Sequence, residues 1–142
     1  MPPAERLAPV PVVADPGRPG DRRGRGPAVT RRHPSAHAAC RREVAEELGL
    51  DRPPGRVLAV DWVPSRPERP EGLIVVYDCG VMSEAEIEEI VLADGELSEF
   101  AFVAPGEVAG LVTPLLARRV ASCLDAVAAG TVATLENGDP TA

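Results

Sequence analysis

Three glutamates and two arginines crowd the eleven residues from Cys40 to Leu50, CRREVAEELGL, and the run closes on a glycine and a leucine. Glu43, Glu46 and Glu47 are spaced i, i+3 and i+4, which on a helix brings their carboxylates onto one face within reach of one another. Like charges so placed repel. Arg42 can offset part of this through an i, i+4 pair with Glu46, worth roughly 0.2 to 0.5 kcal/mol. Two readings fit the pattern: a solvated face built from good helix formers, or a set of hard oxygen donors for a divalent cation.

The element that must carry these side chains is well marked. Ser35 is an N-cap candidate, strong helix formers run through Leu48, and Gly49 is a C-terminal stop. Ala36, Cys40, Val44 and Leu48 recur every four residues as an apolar stripe, predicted to press against a sheet. Beyond the linker DRPPG, the runs RVLAVDWV and GLIVVYDCGV are rich in β-branched and aromatic residues and predict two antiparallel strands. SEAEIEEI has capping-box spacing from Ser83 to Glu86 and predicts a helical turn. The end of VLADGELSEFAFV alternates as a further strand would, and PGEVAGLV predicts a short helix. Thr113 and Pro114 open an amphipathic helix that Gly130 can end. TVATLENGDPTA is expected to add a short strand and then fray.

At 142 residues the chain is the size of one domain with a single core. No run approaches the roughly 18 apolar residues of a membrane span, and the N-terminus lacks the basic leader and long apolar run of an export signal. Cys40, Cys79 and Cys123 form no CxxC pair. They indicate neither a disulfide framework nor a zinc site, and they suit a reducing cytoplasm as small core or surface residues. The formal charge of -7 is uneven: Met1 to Arg42 holds nine arginines against three acids, Glu43 to Ala142 six against nineteen. An acidic folded part does not attract a nucleic-acid polymer, so a polyanionic substrate needs bridging cations or a local arginine cluster.

The order Arg42-Glu43-Val44-Ala45-Glu46-Glu47-Leu48-Gly49-Leu50 resembles the second half of the Nudix box, R-E-U-x-E-E-x-G-U, where U is bulky and aliphatic, at every specified position. The likeness extends over roughly Ser35 to Gly138. It implies an α+β fold, a Nudix-type α/β/α sandwich with a mixed sheet, its N-terminal strands missing or disordered. It further implies hydrolysis of a nucleoside diphosphate linked to another moiety, with Mg2+ or Mn2+ binding the pyrophosphate and activating water. By that resemblance Glu46 and Glu47 are metal ligands, Glu43 is a metal ligand or a base near the water, and Arg42 orients the glutamates. Glu43, Glu47 and Arg42 form the catalytic set. Glu96, or else Glu99, is the candidate for an added carboxylate from a loop beyond the box.

The first half of the box departs from the pattern, with Pro34 where glutamate is asked for and Ala28 where glycine is. Residues 1–34 mix proline, glycine and arginine without period and are expected to be irregular, with the abrupt change of composition that an altered reading frame produces. The Nudix-like domain is expected over 35–138, with 139–142 a frayed tail. Those departures keep open a catalytically inactive Nudix-fold module that binds a nucleotide or a protein. Trp62, the single tryptophan, either belongs to the core or stacks on a base, with Arg66 and Arg69 touching phosphate or ribose. His33 and His37 straddle the helix start, and Arg118 and Arg119 read as a solvated face. The expected partner is a nucleotide-like diphosphate, with no nucleic-acid polymer and no membrane; a homodimer is compatible with the sequence.

Overall fold

The computed structural model describes residues 12–14, 34–93 and 98–141. Five strands form one sheet in the order β1-β3-β2-β4-β5. They are β1 (Val12–Ala14), β2 (Val57–Val63), β3 (Gly72–Tyr77), β4 (Ala133–Glu136) and β5 (Asp139–Pro140). All neighbours are antiparallel except β2 and β4, which run parallel, so the sheet is mixed. The helices are α1 (Ala36–Leu48), the single-turn α2 (Glu84–Glu88) and α3 (Pro114–Ala129), with a short 3-10 helix at Pro105–Gly110.

Side-chain alternation divides the sheet into two faces. A register shift between Val57 and Ala59 leaves Leu58 and Ala59 both buried, as a bulge does. From there Ala59, Asp61 and Val63 point to one face and Val60 and Trp62 to the other. The first face, with Ile74, Val76 and Leu135, meets Cys123 of α3 and forms the larger core cluster. On the second face Tyr77, Val57 and Val75 meet Ala36, Ala39 and Cys40 of α1. Helices on both faces of a mixed sheet make the expected α/β/α sandwich. On α1 the buried residues are Ala39, Cys40 and Val44, so the apolar stripe lies as its four-residue spacing foretold, widened by Ala39.

Three expectations are corrected. Val12–Ala14, in the segment read as irregular, is an edge strand on β3. Ser98–Val103 forms no strand in spite of its alternation; Phe100 and Phe102 instead pack edge to face, and among the described residues no neighbouring strand receives the segment's backbone groups. The tail does not fray at Asp139: Asn137 and Gly138, both at positive φ, turn β4 back into β5, and Thr141 donates its N–H to the Thr134 carbonyl. An Asn-Gly pair with both φ positive is the favoured two-residue hairpin turn. Glycine is required at 138 on a second count, because a Cβ there would lie 2.7 Å from Leu115 Cδ1.

A buried ion pair ties this hairpin to the core. Asp61 is fully buried and Arg119 only 6% exposed. Arg119 Nε donates to Asp61 Oδ2 at 2.7 Å and the Gly138 N–H donates to Oδ1 at 3.1 Å. Arg119 is therefore not on a solvated face as its sequence suggested. Arg118 is, and there it pairs with Asp139 at 2.9 Å. The helix turns its two consecutive arginines about 100° apart, one into the core and one out of it.

Candidate functional site

Both ends of α1 are fixed by local chemistry. The Ser35 hydroxyl accepts the Ala38 N–H at 3.2 Å, satisfying one of the orphan donors of the first turn. Gly49 takes φ 69 and donates its N–H to the Ala45 carbonyl. The Glu47 and Leu48 carbonyls accept from the N–H groups of Ala93 and Val91. The last turn is thus clamped by the strip that follows α2, a role that no sequence pattern in Val91–Ala93 announces.

Arg52, two residues beyond Leu50, fixes the loop before α2. Its guanidinium donates to the carbonyls of Cys79 and Val81 and to the Glu86 carboxylate. Hydrogen bonds from Ser83, with Arg52 adding to them, hold Glu86 below the usual carboxylate range. This anchor too was not legible in the sequence, where Arg52 is one charge in a proline-rich linker.

The carboxylates project from the C-terminal half of α1. Arg42 Nη2 donates to Glu43 Oε1 at 2.6 Å, and Arg42 Nε lies 3.5 Å from Glu46 Oε1. The bond to Glu43 raises the Arg42 pKa further, so its positive charge is permanent. Glu43 and Glu47 are half-buried and Glu46 is exposed. Arg41 is turned away and holds Asp51 through two bonds of 2.6 and 2.7 Å, so the two consecutive arginines engage different carboxylates.

No basic residue lies in the last turn of α1, although the aligned peptide dipoles leave roughly half a negative charge at that end. Glu46 and Glu47 therefore stand where carboxylates are disfavoured by about 0.3 to 1 kcal/mol each. A cation at this end would be drawn by the helix field and the carboxylates together. The donor set suits a hard divalent cation, being all oxygen and partly open to solvent. Its arrangement is open: among the described residues no three histidine, cysteine, aspartate or glutamate side chains converge closely enough to hold a metal. Arg42 occupies Glu43 and Glu46.

Glu96 lies outside the described residues, as do Ala28 and His33; Glu99 is exposed. Pro34 is exposed immediately before the N-cap. His37 is pinned by structure, with Nε2 3.1 Å from the Pro54 carbonyl and its ring edge-on to Tyr77. Trp62 is 40% exposed and so is no core residue. All three cysteines are free. Burial, with the Cys79 thiol beside it, pushes Cys40 up to about 11. Burial likewise raises Cys123 to about 11.

The layering and this helix define a class: an α/β/α sandwich that carries a carboxylate-rich, glycine-capped helix on one face of a mixed sheet. Residues 29–123, more than half of the chain, match the NUDIX domain, and the chain belongs to that family. No curated protein and no solved structure matches it. The matched span includes all of α1 and ends within α3. Among the described residues no helix is long and apolar enough to cross a membrane.

Proposed function

We propose that this Nudix protein hydrolyses the diphosphate bond of a nucleoside diphosphate linked to a further group, with Mg2+ or Mn2+ as cofactor. The observation that carries the reading is the placement of Glu43, Glu46 and Glu47 on consecutive turns at the negative end of one capped helix, within a NUDIX domain. A bound divalent cation neutralises phosphate charge and makes its water more acidic. Glu46 and Glu47 would hold it, with Glu96 as a further carboxylate. Glu43, one turn earlier, either adds a donor or takes the proton of the attacking water. Arg42, paired with both Glu43 and Glu46, orients them, and the buried Cys40 and Val44 keep the helix seated. The free thiols suit a reducing cytoplasm as the place of action.

A second reading, a module that binds a nucleotide without cleaving it, is favoured by Pro34 and Ala28 at the glutamate and glycine positions of the box and by the engagement of Arg42 with two of the carboxylates. One experiment separates the two. Nucleoside diphosphate sugars, dinucleotides and nucleoside triphosphates are incubated with the protein, with and without Mg2+, and products are resolved by chromatography. The hydrolase reading expects Mg2+-dependent cleavage that Glu47→Gln lowers at least 100-fold. Full activity of Glu47→Gln would refute the assigned roles, and binding by calorimetry without any turnover would establish the second reading.

A further inference from the structure

The sheet face that carries α1 is only partly covered by it. Along that face, Trp62 and Leu73 are cross-strand partners in the ladder and are 40% and 51% exposed. The register that pairs Trp62 with Leu73 and Val63 with Gly72 continues through the connecting hairpin, where Arg66 and Arg69 are bridged by two backbone hydrogen bonds. Arg66 has the parity of Trp62, and Arg69 is its cross-strand partner as Leu73 is that of Trp62, so the two arginines lie beyond the indole on its own side, about 13 Å along the strand direction.

Directly opposed like charges destabilise a strand pair. This chain is rich in acids, and Glu68 and Glu71 belong to the same hairpin, yet among the described residues neither guanidinium forms an ion pair. On the other side of Trp62, the parallel neighbour in β4 is Glu136, which offers only acceptors. The face therefore presents a flat apolar floor, an acceptor at one side and two unpaired planar cations at its far end. A planar aromatic ring stacks on tryptophan, and guanidinium forks match phosphate oxygens. A polymeric nucleic acid is disfavoured by the acidic surface around it.

We propose that Trp62, Leu73, Arg66 and Arg69 form a nucleotide-binding platform, with the base on the Trp62–Leu73 floor and a phosphate at the arginine pair. It rests on the hydrolase reading for the class of ligand and assigns the residues that select the nucleotide half of the substrate. Arg66 and Arg69 are here positioning residues, separate from the carboxylates of α1.

Trp62 is the only tryptophan in the chain, so its fluorescence reports on this face alone. The test titrates the full chain with AMP in the absence of divalent metal, with adenosine in parallel. Saturable quenching by both is expected, tighter for AMP. Arg66→Ala/Arg69→Ala should weaken AMP about tenfold and leave adenosine unchanged, as loss of one charge-assisted contact requires. Its urea midpoint, followed by the same fluorophore, should be no lower than that of the wild type. Absence of saturable quenching, or quenching by AMP that the double substitution leaves intact, overturns the platform. Hydrolysis without quenching removes the platform and leaves the enzyme reading standing; metal-free quenching without hydrolysis does the reverse.

Discussion

Replacing Arg119 by methionine keeps the length of the side chain and removes the one cation that meets Asp61 among the described residues. The carboxylate is fully buried and would be left with one hydrogen bond, from the Gly138 N–H at 3.1 Å. Stranding one member of a buried pair costs about 3 to 5 kcal/mol. A domain of this kind has a total stability of about 5 to 15 kcal/mol, so the loss is a third of it or more. The corresponding fall in melting temperature is on the order of 10 °C. Urea unfolding followed by the fluorescence of Trp62, the residue next to Asp61, measures it. The companion variant Asp61→Val/Arg119→Met strands no charge and is expected to cost less than Arg119→Met alone, about 1 to 3 kcal/mol, most of it from the Gly138 N–H that loses its acceptor. An Arg119→Met variant within about 1 kcal/mol of the wild type, or a double variant as costly as the two single changes added, would refute the view that this pair locks the C-terminal hairpin to the core.

Gly49→Ala should lower stability by about 1 to 2 kcal/mol, because φ 69 is disfavoured for any residue with a Cβ and that Cβ would lie 3.3 Å from the Val91 carbonyl oxygen; an unchanged urea midpoint would show that the cap is not holding α1. The thiols give a pH prediction. Cys40 and Cys123 hold their protons up to about 11 in the fold against 9.0 when free, so the folded state binds more protons in between and stability falls as pH rises from about 9 to about 11. For the same reason a disulfide reagent at pH 8 should label native Cys40 and Cys123 slowly and all three thiols promptly in denaturant, since the thiolate is the reacting form; rapid labelling of Cys123 in the native protein would contradict its burial.

The helix that carries the carboxylates was readable because its signals are local. Ser35, the four-residue apolar recurrence and Gly49 each act within a turn or two of the residue they govern. The same holds for Ser83 with Glu86 and for Thr113 with Pro114, which the structure shows as caps of α2 and α3. What escaped depends on residues far apart in the chain. Arg119 looks like its neighbour Arg118, and only the position of Asp61, 58 residues away, draws it inward; an aspartate in the middle of the apolar run VLAVDWV was the available sign that a buried partner exists. Phe100 and Phe102 alternate as strand residues do, but alternation cannot supply the neighbouring strand. The Asn-Gly hairpin was legible in principle, since the pair by itself favours a tight turn. At the candidate site the spacing of Glu43, Glu46 and Glu47 could be read directly, whereas the grip of Arg42 on two of them and the clamp from Val91 and Ala93 belong to the folded chain.

The acidic turn of α1 is proposed to bind a divalent cation. Mn2+ binding counted by electron paramagnetic resonance on the intact chain, compared with Glu46→Gln/Glu47→Gln, tests it most directly. At least one bound ion per chain is expected, displaced by Mg2+ and lost in the double variant while the urea midpoint stays near that of the wild type. Equal Mn2+ occupancy in the wild type and the variant, or none in either, would contradict it.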